Sequence, residues 1–378
     1  MTDDDTNTEK SDKSAMSIIK RIVSGLISVA VVVVIFAFVL PQLADYSQVR
    51  EALEEMSIAW LVVVVVVGLW TISSYWLVIS VSLPGLRVRE AAVANLASTA
   101  VTNTVPAGSA FGVGVSLAMY TSWGFLLGPI LLSMMITGIW HMFAKLAFPV
   151  FAVIADGITG NFDGELALLA VIGIVGLGAL IGGFALLLRS DKTARKLGNL
   201  GERIANWGLK VIRRDPIGGL ADKAADFRDD SVVLLRGRWV RLTIFALVAN
   251  VSLYVLLVVS LRAVGVPESA VSWTDALVAY AIMLLVTAIP ITPGGVGIAE
   301  LGYVAILSVG QTDEMTNLIT AGVMLFRFMS WFLPIPLGAG AWLFWRCNKS
   351  WRGRVGPEHS AKAEDPGAAE AVAALNRP

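Results

Sequence analysis

Four ionisable side chains stand inside stretches otherwise apolar enough to lie in a membrane: His141, Lys145, Glu300 and Arg327. A charged group near mid-membrane costs about 2.5 to 3.5 kcal/mol on insertion scales, so each needs a partner or a task. A carboxylate that gains and loses a proton beside a guanidinium is a charge switch, the chemistry of a coupled transport step. Glu300 is the candidate for that switch and Arg327 its expected partner. The structural alternative is a carboxylate that stabilises a helix N-terminus and a guanidinium held in a permanent ion pair. His141 and Lys145 are four residues apart and share a helix face. His141 reads as a polar residue of the membrane core or as a proton relay.

Glu300 follows a backbone break, Pro290-Ile-Thr-Pro-Gly-Gly-Val-Gly, in which Pro293, Gly294, Gly295 and Gly297 interrupt any helix. Hydrocarbon offers no water to freed backbone groups, so such a break survives only where protein buries it or it lines a cavity. A second break carries Asn103, Pro106, Gly108, Ser109, Gly112 and Gly114. Each lies inside an apolar segment, 91–122 and 275–310, whose limbs fall short of the roughly 20 residues a span needs. Both segments therefore read as re-entrant hairpins. Full-length spans are expected at 22–42, 57–82, 125–153, 166–188, 242–263 and 317–345. The predicted fold class is all-α: a polytopic helical membrane protein with six full spans and two oppositely oriented broken-helix hairpins. Ten full crossings have the same parity; limb length favours hairpins.

Composition agrees with a membrane protein, 56% of the 378 residues being hydrophobic and 15% charged. Lys plus Arg equals Asp plus Glu at 29 each, so net charge points to no nucleic-acid partner. The placement of charge is informative. Lys20 and Arg21, Arg87 and Arg89, the basic stretch from Arg189 to Arg241, and Arg346 to Arg354 mark one side. The segments 43–56, 154–165 and 311–316 are acidic or neutral. By the positive-inside rule both termini are cytoplasmic, in a multi-pass protein of the cell membrane. The first hairpin then dips in from the cytoplasm and the second from outside. That is an inverted repeat, the architecture by which many transporters alternate access to a midplane site.

The expected domains are a disordered N-terminus at 1–17, a transmembrane domain at 18–346, and a disordered tail at 347–378. Within 189–241, Ile204, Trp207, Val211 and Ile212 recur at helical spacing beside Arg203, Lys210, Arg213 and Arg214. This suggests an amphipathic helix on the inner leaflet, drawn to anionic lipids, or else an ordinary solvated basic loop. Cys347 is the one cysteine, which excludes an intramolecular disulfide. No catalytic motif, cofactor or metal site is indicated: phosphate-loop and nucleophile-elbow sequences are absent, and histidine is too scarce for a metal cluster. Free N–H groups at half-helix starts can hold a phosphate. Since Glu300 would repel one at the second break, Gly108, Ser109, Gly112 and Gly114, with Lys145, are the expected head-group contacts. Close helix packing is the competing role for those glycines.

The stretch Pro290-Ile-Thr-Pro-Gly-Gly-Val-Gly-Ile-Ala-Glu, followed by Leu325-Phe-Arg327 and Pro334-Ile-Pro-Leu-Gly338, resembles the lysylphosphatidylglycerol synthase transmembrane region family, also called flippase-like. Asn103-Thr-Val-Pro-Ala-Gly-Ser-Ala-Phe-Gly with Ser122-Trp-Gly124 is similar to its first-half motif. The resemblance covers roughly residues 20 to 346. It implies a lipid-handling membrane domain that, in the best-known members, moves an aminoacylated phospholipid between leaflets. Bifunctional members carry an aminoacyl-transfer domain after the membrane part, whereas residues 347–378 are too few to house one. Many relatives also have an acid and a base in the first motif, where this chain has Ala, Phe, Gly and Val, so the resemblance does not extend to a two-acid mechanism. The primary expectation is a lipid translocase. The alternatives are a non-transporting subunit or enzyme of lipid-linked glycan or aminoacyl-lipid metabolism, with a cytoplasmic or membrane biosynthetic enzyme as partner, and a membrane scaffold.

Overall fold

The structure is a computed structural model; it describes residues 51, 53–105, 108–159, 164–211, 216, 218–288 and 292–351. The expected first span at 22–42, residues 1–17, residues 352–378 and Pro106 lie outside the described residues, whereas the start of the expected tail, Cys347 to Trp351, is a helix end and a short 3₁₀ turn. Everything described is helix, turn or coil, with no strand among the described residues.

The helices are α1 (Ile58–Ser82), α2 (Val88–Thr104), α3 (Gly108–Ser122), α4 (Leu127–Thr159), α5 (Gly164–Arg189), α6 (Asp191–Val211), α7 (Leu220–Leu235), α8 (Trp239–Ala263), α9 (Trp273–Val286), α10 (Ile298–Leu307), α11 (Asp313–Arg327) and α12 (Pro334–Cys347). Among the described residues, four stretches are long and apolar enough to cross a membrane: Ile58–Ser82, Leu127–Ala155, Trp239–Ala263 and Asp313–Cys347. They coincide with four of the expected spans. In α5, the apolar part Gly173–Arg189 is shorter. Large apolar side chains such as Val62, Val66, Trp70 and Leu131 remain on the outer surface of these helices, as lipid-facing positions require.

Local sequence sets the ends. Ser57 accepts from the Trp60 amide at 3.3 Å and starts α1. Ser272 and Asp275 cap α9 reciprocally, at 3.1 and 2.9 Å. Along the spans, hydroxyls return to the preceding turn, as in Thr71 to the Val67 carbonyl at 2.8 Å and Ser260 to Leu256 at 2.7 Å. An apolar surrounding leaves such groups few other partners.

The core is built by α1 and α11 packing on α8, and by α9 and α10 closing over them around Tyr280, Leu256 and Val323. A second cluster joins α2 and α3 around Trp123 and Met119. The two short-limbed segments fold back on themselves. Gln311, after α10, donates to the Ala270 carbonyl, before α9, at 2.8 Å. The start of α2 and the end of α3 likewise meet at one place, where Arg89 lies 5.3 Å and Trp123 5.9 Å from the Trp351 ring. The Trp345 indole also donates to Ser122 at 3.0 Å. One hairpin thus opens beside residue 311 and the other beside residues 345–351. They lie at opposite ends of the 35-residue stretch Asp313–Cys347.

Two features differ from the sequence expectation. The last stretch is not one continuous α-helix: Phe328–Phe332 forms a π turn between α11 and α12. Pro334 and Pro336 have no N–H, so the carbonyls of Ser330 and Phe332 lose their usual helical donors and the turn widens. The described part of the basic stretch 189–241 holds two packed helices, α6 and α7, where the sequence suggests one surface helix; Ile212, Arg213 and Arg214 lie outside the described residues. Gly198 permits this approach, since an added Cβ would sit 2.7 Å from the Ala221 Cα. Arg195 links Asp191 at 2.9 Å and also reaches Asp222. Leu200 and Ile204 remain exposed on α6.

Candidate functional site

The break between α9 and α10 is a turn of left-handed glycines. Gly294, Gly295 and Gly297 have φ of 60°, 70° and 81°, values that side chains other than glycine rarely accept. At Gly294 there is also no room: an added Cβ would collide with the Trp331 indole and lie 3.2 Å from Asn103 Oδ1. The turn brings Glu300 into the first turn of α10, where its Oε2 accepts from the Gly297 amide at 2.6 Å. A carboxylate here satisfies a freed N–H and complements the positive end of the helix dipole.

Arg327, at the end of α11, binds the same turn from the other side. Its Nε donates to Glu300 Oε1 at 2.7 Å and its Nη2 to the Gly294 carbonyl at 3.0 Å. The pair is buried, the side chains being 3% exposed for Glu300 and 14% for Arg327. The guanidinium also lies 5.9 Å from the Trp331 ring centroid. The π turn directs Trp331 to this point, and its carbonyl accepts from Asn103 Nδ2 at 3.0 Å. Asn103 is near the end of α2, so one hydrogen bond joins the tip of the first hairpin to the wall beside the tip of the second.

A cavity of about 280 Å³ opens where the tips meet. Its wall includes Thr71 and Tyr75 from α1, Asn95, Thr99 and Asn103 from α2, Thr287, Gly294, Tyr303, Arg327, Ser330 and Trp331. The polar side is lined by hydroxyls, amides and one guanidinium. The apolar side is supplied by Ile72, Leu96, Leu253, Leu284 and Phe326. This pairing of surfaces fits a small polar head group attached to hydrocarbon.

The sequence candidates divide accordingly. Glu300, Arg327, Asn103, Gly294 and Gly297 come together here, with Gly295 against the Thr287 side chain and Pro293 in the short 3₁₀ turn that carries them. Gly108 and Gly112 instead face α2: a Cβ on either would strike Thr102, and Gly112 also approaches the Ser98 carbonyl. Their role in this arrangement is close packing. Ser109 is exposed and Gly114 borders open space; neither lines the cavity. His141 stacks on Tyr75 with ring centroids 5.2 Å apart and lies 3.5 Å from Asn250 Nδ2, one layer behind the wall. Lys145 does not line the cavity.

Sequence reasoning passed over Asn95 and Thr99, although with Asn103 they recur every fourth residue and so mark one polar face of α2. Thr71 and Tyr75 have the same spacing on α1. Glu90 also went unnoticed; it is fully buried at the base of the first hairpin, with Arg89 Nε donating to it at 2.9 Å. Among the described residues no group of three or more His, Cys, Asp or Glu could hold a metal ion.

The family model described as Lysylphosphatidylglycerol synthase TM region matches residues 25–338. The match spans most of the chain, and the chain belongs to that family, a family of integral membrane proteins. No curated protein matches it.

Proposed function

We propose that this member of the family is a lipid translocase, which takes the head group of a membrane phospholipid or lipid-linked compound into the cavity between the hairpin tips and releases it to the other leaflet. The observation that carries this reading is the buried Glu300–Arg327 pair, in which Glu300 sits behind the wall and the Arg327 side chain lines that cavity. Arg327 also lines the cavity, so a head-group phosphate entering it competes with Glu300 for the guanidinium. Protonation of Glu300 favours the phosphate, and its loss favours release. Glu300 is the coupling group in this scheme and Arg327 the group that changes partner. Asn103, Asn95, Thr99 and Tyr75 hold the remaining polar atoms of the head group, while His141 supports Tyr75 from behind.

In this reading the hairpins enter the membrane from opposite faces, with both termini cytoplasmic and α6 and α7 on the inner surface. The opposed bases of the hairpins support that placement. It has its own test in a chain whose Cys347 is changed to Ser. Asp313→Cys is expected to react with a membrane-impermeant thiol reagent in intact cells, and Lys223→Cys only after permeabilisation. Protection at position 313 overturns the orientation.

The function is tested in liposomes carrying head-group-labelled lipids, by following the accessibility of the label with time. The wild type is expected to exchange at least one lipid class, and Glu300→Gln to slow that exchange by tenfold or more. Equal rates, or no exchange of any class by the wild type, sink the proposal.

A further inference from the structure

A second cavity, of about 560 Å³, lies between α4, α5, α7 and α8 and shares no lining residue with the first. It extends from Phe151 and Leu177 at one end to Leu188, Leu235 and Trp239 at the other. Along α4, Trp140 to Phe151 is eleven residues, about 16 Å at 1.5 Å per residue. Leu177 to Leu188 on α5 is the same distance. That is about half of a hydrocarbon layer roughly 30 Å thick, the depth of one leaflet. Its volume is within the usual range for ligand cavities.

The wall offers an occupant almost no polar partner. The Thr243 hydroxyl accepts from the Trp140 indole at 3.0 Å and donates to the Trp239 carbonyl at 2.8 Å. An apolar cavity of this kind is dry unless an apolar ligand fills it. Its mouth is different. Arg189 follows Leu188 and Arg236 follows Leu235, both exposed. Arg228 donates from Nε to the Leu188 carbonyl at 3.3 Å, although it also pairs with Asp229. Exposed arginines therefore follow directly on the last lining residues of the slot on α5 and α7, on the basic side of the protein.

We propose that this slot holds one acyl chain of an anionic phospholipid from the leaflet that borders α6 and α7, with the lipid phosphate against Arg189 and Arg236. The bound lipid is a resident of the protein, separate from any molecule in the cavity between the hairpins. Its site stands on the depth of the slot, its apolar wall and the charge at its mouth, and is independent of whether the protein transports lipid.

The test uses the full chain in nanodiscs of equimolar phosphatidylglycerol and phosphatidylcholine with identical acyl chains, ejected into a native mass spectrometer. One phosphatidylglycerol is expected to remain on each chain, at least tenfold over phosphatidylcholine. Ala185→Trp, which fills the slot from its exposed side, is expected to lower retention about tenfold. The double variant Arg189→Gln, Arg236→Gln alters only the mouth and is expected to abolish the preference between the two lipids. Glu300→Gln is expected to leave retention unchanged; loss of the lipid there would place it between the hairpins and overturn the proposal. Equal retention of both lipids by the wild type, full retention by Ala185→Trp, or a preference that survives the double variant overturns it too. So does absence of retained lipid, the result expected if another apolar segment such as 22–42 occupies the slot.

Discussion

Glu300→Leu and Arg327→Leu are each expected to destabilise the folded protein by about 3 to 5 kcal/mol, the range for breaking a buried ion pair by removing one partner. The double substitution is expected to cost less than either single change. Leu at position 300 leaves a guanidinium on a side chain that is 14% exposed, with the Gly294 carbonyl as its remaining acceptor in that turn. Leu at position 327 leaves a carboxylate that is 3% exposed, with one amide donor from Gly297. Removing both leaves no uncompensated charge. The measurement is a thermal-unfolding cycle in detergent with the four proteins. Additive losses would show that the two residues act independently and that the hydrogen bond at 2.7 Å carries no coupling.

The isosteric change Glu300→Gln separates stability from function. Its amide oxygen can still accept from Gly297 or Arg327, but its charge can no longer change. A translocase that relies on the switch loses exchange activity in this variant even in the protein that stays folded, beyond what its lost ion pair takes from stability. A purely structural pair loses both together or neither.

Glu300 and Arg327 were legible in the sequence because ionisable groups inside apolar runs are rare and must be compensated. The break at Pro293 to Gly297 was legible for a similar reason, since proline and several glycines together forbid a continuous helix. The rest of the cavity was not. Asn95, Thr99, Thr71 and Tyr75 are neutral, cost less to bury, and do not interrupt an apolar run; only their spacing by fours betrays a shared face. Gly108 and Gly112 carried the opposite difficulty. A glycine that lets a backbone approach a phosphate and one that lets it approach another helix look alike in a sequence; the position of Thr102 supplies the close helix approach at both. The π turn at Phe328–Phe332 was also hidden, because its cause lies in the prolines that follow it rather than in its own residues.

Gly338 explains why the last helix belongs to the site at all, and its substitution carries the second large effect. α12 packs along α2, the limb that supplies Asn95, Thr99 and Asn103. At the crossing an added Cβ would overlap the Leu96 carbonyl oxygen and lie 2.6 Å from the Ala100 Cβ and 2.8 Å from the Leu96 carbonyl carbon. A backbone carbonyl in a helix cannot step aside as the end of a flexible side chain can, so the two helices must separate. Small residues are what allow such close approach where no hydrophobic force drives helices together. Overpacking of this kind typically costs about 1 to 3 kcal/mol, and Gly338→Val is expected to reach the upper part of that range by lowered thermal stability. It should also act at a distance. Pro334, one turn earlier on α12, lines the cavity with Leu96, so separating α12 from α2 pulls Asn103 from the Trp331 carbonyl it holds at 3.0 Å. Gly338→Ala, with one methyl group, is expected to impair lipid exchange less than Gly338→Val, in step with the separation of the helices. Asn103→Ala should reproduce the loss of exchange with little loss of stability. If Gly338→Val unfolds no more readily than the wild type, α12 does not seat on α2 in the membrane, and the floor of the cavity is built differently.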